Sequence, residues 1–83
     1  MTSPSETLDW LVQFVADVLD VGTSEVDTGA PWAELGVDSA TILVLVADLE
    51  RDRGLAVRPA EVLDHPSIDA LTAHLSAAHP VEV

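Results

Sequence analysis

Two adjacent residues, Asp38 and Ser39, carry the clearest chemical potential in this chain. They follow Leu35-Gly36-Val37, and an apolar segment from Ala40 to Leu49 begins at once. Such a pattern predicts a sharp turn at Gly36 and a helix whose first residue bears a hydroxyl. A serine in that position sits at the positive end of the helix dipole beside unpaired backbone N–H groups, where a phosphate is well accommodated. Capping explains the same dipeptide, because Asp and Ser are favoured N-cap residues. A hydrolytic reading would join Asp38, Ser39 and His65 into a triad. It lacks the Gly-x-Ser-x-Gly elbow between strand and helix that presents a nucleophilic serine. His65, His74 and His79 show no paired short spacing for a metal, and are expected at the surface or at helix ends. The residues therefore call for no catalytic group and no metal ligand.

The helical frame around the dipeptide is legible from its punctuation. Ser3-Pro4-Ser5-Glu6 has the cap, the first-turn proline and the capping-box acid of a helix start. Leu8, Leu11, Val12, Val15 and Leu19 then recur at helical spacing, with Phe14 and Val18 on the flank, to an end near Asp20. Residues 21–38 make a long connection with Gly22, Gly29, Pro31 and Gly36. Connections of that length are anchored by their own side chains or are functional. Val26, Trp32 and Leu35 are the expected anchors, and Trp32 to Leu35 can form one helical turn.

The second helix is expected from Ser39 to Asp52 or Arg53, with Gly54 as its C-cap. Ile42, Leu45, Val46 and Leu49 share one side, with Leu43 at the edge. Ala40, Val44 and Ala47 form a further apolar stripe with Arg51 below it, while Thr41, Asp48 and Asp52 lie across from the core side. Such a helix is more apolar than a half-buried one needs to be, so another element or a partner is expected to cover the stripe. Pro59 opens a brief helix to Leu63 or Asp64. Ser67 caps the last helix, whose buried side should carry Ile68, Leu71, Leu75 and Ala78, with His79-Pro80 ending it. The fold class is all-α: three longer helices plus a short third one, with a long loop between the first two.

Composition narrows the function. The 83 residues suit one domain, with a core at 4–79 and frayed ends. Fifteen Asp or Glu face three arginines and no lysine, a formal net charge of −12. A surface of that sign repels nucleic acid and favours basic partner surfaces. No cysteine is present, which excludes disulfides and thiolate metal sites. The N-terminus has no basic leader and no run approaches membrane-spanning length, so a cytoplasmic location away from the membrane is expected. Its size and Met1 favour a free-standing protein over an excised domain, and a monomer is expected.

Leu35-Gly36-Val37-Asp38-Ser39, the apolar helix to Leu49-Glu50, Trp32 in the loop and the Pro66-Ser67-Ile68…Leu71…His74-Leu75 ending together resemble phosphopantetheine-binding carrier proteins of fatty-acid, polyketide and nonribosomal peptide synthesis. The resemblance spans about Leu8 to Leu75. It implies a four-helix carrier bundle and a covalent 4′-phosphopantetheine arm on Ser39, added from coenzyme A by a phosphopantetheinyl transferase. Asp38 would stand near the Mg²⁺ of that reaction, cap the helix, or do both. The chain would be an acyl carrier protein, not an enzyme, holding acyl groups as thioesters in polyketide-type specialised metabolism. A peptidyl carrier of nonribosomal peptide synthesis is the alternative, and an unmodified helical interaction module is the next. Implied partners are an acyltransferase or adenylating loading enzyme and a ketosynthase or condensation-type enzyme.

The chain also departs from that family. Ala40 replaces the usual Leu, Met or Ile after the serine, and Val44 stands where an acid is common. Docking is accordingly expected to use Ala40, Val44 and Ala47 by shape and apolar contact, with Asp48 and Asp52 as peripheral charges. Val57, Val62 and Leu63 are the candidates for cradling the arm or an acyl chain, with core packing as their other reading.

Overall fold

The computed structural model describes residues 4–78, and those residues contain helices and no strand. Five helices follow one another: α1 (Pro4–Leu19), α2 (Trp32–Leu35), α3 (Ser39–Arg53), α4 (Pro59–Asp64) and α5 (Ile68–Ala78). The expected single turn at Trp32 is thus a defined element, added to three longer helices and a short one. The Ser3 cap, His79, Pro80 and the residues beyond lie outside the described segment, as does the side chain of Ala78.

α1 packs most extensively on α5. Its buried line is Thr7, Leu11 and Val15, each one turn apart, with Ala16 beside them. The apolar repeat placed the buried face slightly to one side, through Leu8, Val12 and Leu19, which are half-buried instead. Thr7 holds the first position of that line, a polar residue that apolar counting overlooks. Asp20 ends α1 in the left-handed region at φ 57°, and the Val21 N–H returns to the Ala16 carbonyl at 3.0 Å.

The long connection is held at several points. Its short turn at Thr23–Glu25 is closed by the Gly22 N–H donating to Glu25 Oε2 at 2.9 Å. Thr28 exchanges bonds with Asp69 at the start of α5: the Asp69 N–H reaches the Thr28 carbonyl at 2.9 Å and the Thr28 hydroxyl reaches Asp69 Oδ2 at 3.1 Å. Trp32 is the main anchor, with 4% of its surface exposed. Its backbone N–H donates to the Pro66 carbonyl at 2.9 Å. Its indole N–H is shared between the carbonyls of Val62 at 2.9 Å and His65 at 3.2 Å. Val26 is buried as expected, Leu35 is half-buried, and Val37 joins the core as an anchor that apolar spacing does not reveal.

The core joins Leu11 and Val15 of α1, Ile42, Leu45 and Leu49 of α3, Val62 of α4, and Ile68, Leu71 and Leu75 of α5. α3 ends at Gly54, left-handed at φ 68°, whose N–H reaches the Glu50 carbonyl at 2.9 Å. Ser67 caps α5 by accepting the Ala70 N–H at 3.1 Å. The Ala40, Val44 and Ala47 stripe of α3 meets no covering element and faces solvent.

Replacing Trp32 by Phe keeps most of the apolar volume and removes the indole donor from two carbonyls. The loss is expected to be about 1–3 kcal/mol. Urea unfolding should show a lower midpoint with an unchanged slope; an unaltered midpoint would show that the indole bonds do not hold the loop.

Candidate functional site

The site is built by three local decisions in a row. Gly36 ends α2 in the left-handed region at φ 85°, and its N–H bonds to the Ala33 carbonyl at 3.2 Å. A Cβ there would stand 3.5 Å from the Leu19 side chain, an ordinary contact, so backbone conformation is what selects glycine. Val37 then buries its side chain, and its N–H reaches the Trp32 carbonyl at 2.9 Å. Asp38, extended at φ −100° and ψ −178°, is the N-cap of α3.

The Asp38 carboxylate is well occupied. Its Oδ1 accepts both the Thr41 backbone N–H and the Thr41 hydroxyl at 2.9 Å. Those two donors, the backbone one first, hold its carboxyl below the ordinary aspartate range. The Ile42 N–H is taken by the Asp38 carbonyl at 3.0 Å. Within the first turn of α3, the Ala40 N–H adds a weaker pull on the same carboxylate. Ser39 itself is exposed. An accessible hydroxyl at the positive end of the helix suits a phosphodiester on that oxygen.

Below Ser39, the outward face of α3 carries Ala40, Val44, Ala47 and Arg51, all exposed. Val44 has 53% of its surface open and Leu43, beside it, 59%. The acids lie off this face. Asp48 Oδ1 pairs with Arg51 Nη2 at 3.1 Å, and Asp52 Oδ1 with Arg51 Nε at 3.1 Å. Asp52 Oδ2 also accepts the Trp10 indole N–H at 3.2 Å. Its carboxyl is held low, first by Arg51 and then by Trp10. Asp48 and Asp52 are therefore peripheral to the stripe and turned toward α1.

The three groove candidates fall in three different places. Val62 has 0% exposure and packs in the core, so its side chain lines no open groove; a six-residue helix tied to Trp32 turns it inward. Val57 is half-buried against the core, and Leu63 is 59% exposed. Of these, Leu63 alone offers an open apolar surface.

His65 and His74 are nearer each other than their sequence positions indicate. Their rings stack with centroids 4.0 Å apart and planes 15° apart. His74 Nε2 lies 2.9 Å from Glu61 Oε1, while Glu61 Oε2 accepts the Arg58 N–H at 2.7 Å. The Arg58 N–H, then His74, hold the Glu61 carboxyl down to about 2. Sequence reasoning missed this cluster; Glu61 at the third position of a helix start was its only local signal. No hydrogen bond joins His65 to Ser39 or Asp38 among the described residues, so the hydrolytic triad is not assembled. Among the described residues, no group of three or more His, Asp or Glu is arranged to hold a metal ion.

Comparison with known proteins gives concordant results. A family model described as "phosphopantetheine attachment site" matches residues 9–75. The chain is 35% identical over 68 residues to the acyl carrier protein TtuC of Teredinibacter turnerae, covering 82% of this chain and 78% of that protein. It is also 35% identical over 71 residues to a phenolphthiocerol/phthiocerol polyketide synthase component of Mycobacterium tuberculosis, covering 86% of this chain but 4% of that protein. Among solved structures, a free-standing peptidyl carrier protein from Acinetobacter baumannii superposes with a TM-score of 0.83 at 25% identity, covering 92% of this chain and 95% of that one.

Glu61 supplies a pH test of the α4–α5 corner. Its carboxyl sits near 2 in the folded chain against an ordinary 4.5, so its stabilisation is complete above 4.5 and is lost as pH falls toward 2. The stability gap between wild type and Glu61→Gln should be open at neutral pH and close over that interval in urea titrations. A gap that does not change with pH would contradict the assignment.

Proposed function

Because the chain belongs to the phosphopantetheine attachment-site family, whose members carry a covalent 4′-phosphopantetheine on a serine, we propose that Ser39 is the serine that holds the arm. The observation that carries this reading is the exposed Ser39 hydroxyl at the start of α3, next to a cap already satisfied by Asp38. The chain is a carrier protein of the polyketide synthase type and not itself a catalyst. A phosphopantetheinyl transferase supplies the catalysis: the Ser39 oxygen loses its proton and forms a phosphoester while the pyrophosphate bond of coenzyme A breaks and adenosine 3′,5′-bisphosphate leaves. Asp38, whose Oδ1 is committed to Thr41, would be the residue nearest the Mg²⁺ of that reaction, a hard cation that seeks carboxylate oxygen. Once attached, the arm supplies a thiol, which a chain without cysteine lacks, and the acyl group travels on it as a thioester.

Ala40, Val44 and Ala47 form the docking face in this reading, joined by exposed Leu43, with Asp48 at its border. Leu63 is the groove residue placed to meet the arm or its acyl chain. The partners are the modifying transferase, a loading acyltransferase and a ketosynthase-type enzyme, and the carrier works as a cytoplasmic monomer. Among the described residues no helix is long and apolar enough to cross a membrane. The peptidyl reading has the Acinetobacter structure in its favour, at 25% identity. TtuC and the mycobacterial polyketide synthase weigh toward acyl cargo.

Incubation with coenzyme A and a broad-specificity transferase should add one phosphopantetheine mass to the wild type and none to Ser39→Ala. An equal gain on both proteins, or none on wild type, would overturn the assignment. Val44→Asp lies on the docking face and outside the core. It should leave the melting temperature unchanged and raise the KM for docking enzymes about three- to tenfold. An unchanged KM would place the docking face elsewhere.

A further inference from the structure

A second surface feature lies between α1 and α3, beside the outward stripe and on its Asp48 flank. Trp10 and Phe14, one turn apart on α1, stack with centroids 5.4 Å apart and planes 16° apart. Both rings are half-buried, so part of each is open to solvent. They form the wall of a shallow cleft completed by Gln13, Asp17, Asp48 and Asp52. Core packing accounts for the inner side of these rings. It does not account for the aromatic surface left open in a cleft that three carboxylates also line.

Each member of the cleft is held in position. The Trp10 indole is fixed by Asp52 Oδ2 at 3.2 Å. Gln13 Nε2 donates to Asp17 Oδ1 at 2.9 Å. Arg51 takes Oδ1 of Asp48 and Oδ1 of Asp52. Asp17 and Asp48 each keep a carboxylate oxygen outside these bonds. Asp48 and Asp52 thus share one guanidinium of the chain itself, and Asp17 pairs with none. The other two arginines are engaged elsewhere, Arg53 with Glu6 at 3.0 Å and Arg58 with Glu61 at 3.7 Å. The chain has no further arginine and no lysine to bring to this cleft.

We infer that the Trp10–Phe14 cleft receives an arginine side chain of a partner protein, the guanidinium lying on the aromatic wall and hydrogen-bonded to Asp17 and Asp48. The chemistry favours arginine over lysine. A planar, weakly hydrated guanidinium stacks on a ring face while its edge donates to carboxylates, whereas an ammonium keeps its water. The acidic field of the whole chain draws such a partner in, and the aromatic pair fixes where its arginine lands. This contact is independent of the modification of Ser39, so it can be examined on the unmodified protein.

The test is a two-dimensional NMR titration of the unmodified protein with a short arginine–glycine peptide, with the matching lysine–glycine peptide as the control. Saturable movement of the Trp10 indole N–H, with the Trp32 indole unmoved, is expected for the arginine peptide. Ring-current shifts of the arginine side-chain protons should accompany it. Affinity should fall about two- to fivefold in Trp10→Leu. Asp17→Asn, an exposed change that leaves the aromatic pair intact, should weaken binding in the same direction, while Asp27→Asn should not. Equal binding of the two peptides, equal loss in Asp17→Asn and Asp27→Asn, or shifts spread evenly over all acidic residues would each overturn the inference.

Discussion

The shared hydrogen bond from the Trp32 indole to the carbonyls of Val62 and His65 is the constraint on which the arrangement depends. Those carbonyls lie at the end of α4, where the helix has run out of N–H partners. A buried indole donor satisfies them, and they satisfy it, where water does not reach. The backbone of Trp32 adds a bond to Pro66, and Thr28 and Asp69 repeat the tie a few residues earlier. The long connection is thereby fastened to the α4–α5 corner before it reaches α3. Ser39 inherits its position from that fastening.

From Trp32 onward, the chain has little freedom. Gly36 reverses it, Val37 sinks into the core, and Asp38 ties the first turn of α3 through Thr41. The serine is then held outward on a rigid helix end. This chain needs nothing more, since a carrier presents its hydroxyl to an enzyme that does the chemistry. Burial and activation of Ser39 would work against that role. The charge distribution follows the same division: the acids are spread along the chain, while the face beneath Ser39 is left apolar with Arg51 at its foot.

Much of this was legible in the residues because the signals are local. Caps at Asp38 and Ser67, glycine at positions 36 and 54, and proline at position 59 mark helix ends through backbone chemistry that depends on near neighbours. What escaped is what depends on distant ones. Thr7 is buried in place of Leu8 on the side of α1 that packs into the bundle, and Val37 is buried although it lies in the loop. Val62 turned inward, away from the groove suggested by its place beside Leu63, since α4 is short and its end is tied to Trp32. The stacking of His65 on His74 joins residues on either side of a helix break, and no spacing rule reports such a pair.

The central claim is that Ser39 carries the arm, and its most direct measurement is tandem mass spectrometry of protein taken from cells with an active transferase. Phosphopantetheine is expected on the peptide containing Asp38-Ser39, with fragment ions placing it on Ser39. Phosphopantetheine on another serine, such as Ser24 or Ser67, or unmodified Ser39 in those cells, would contradict it.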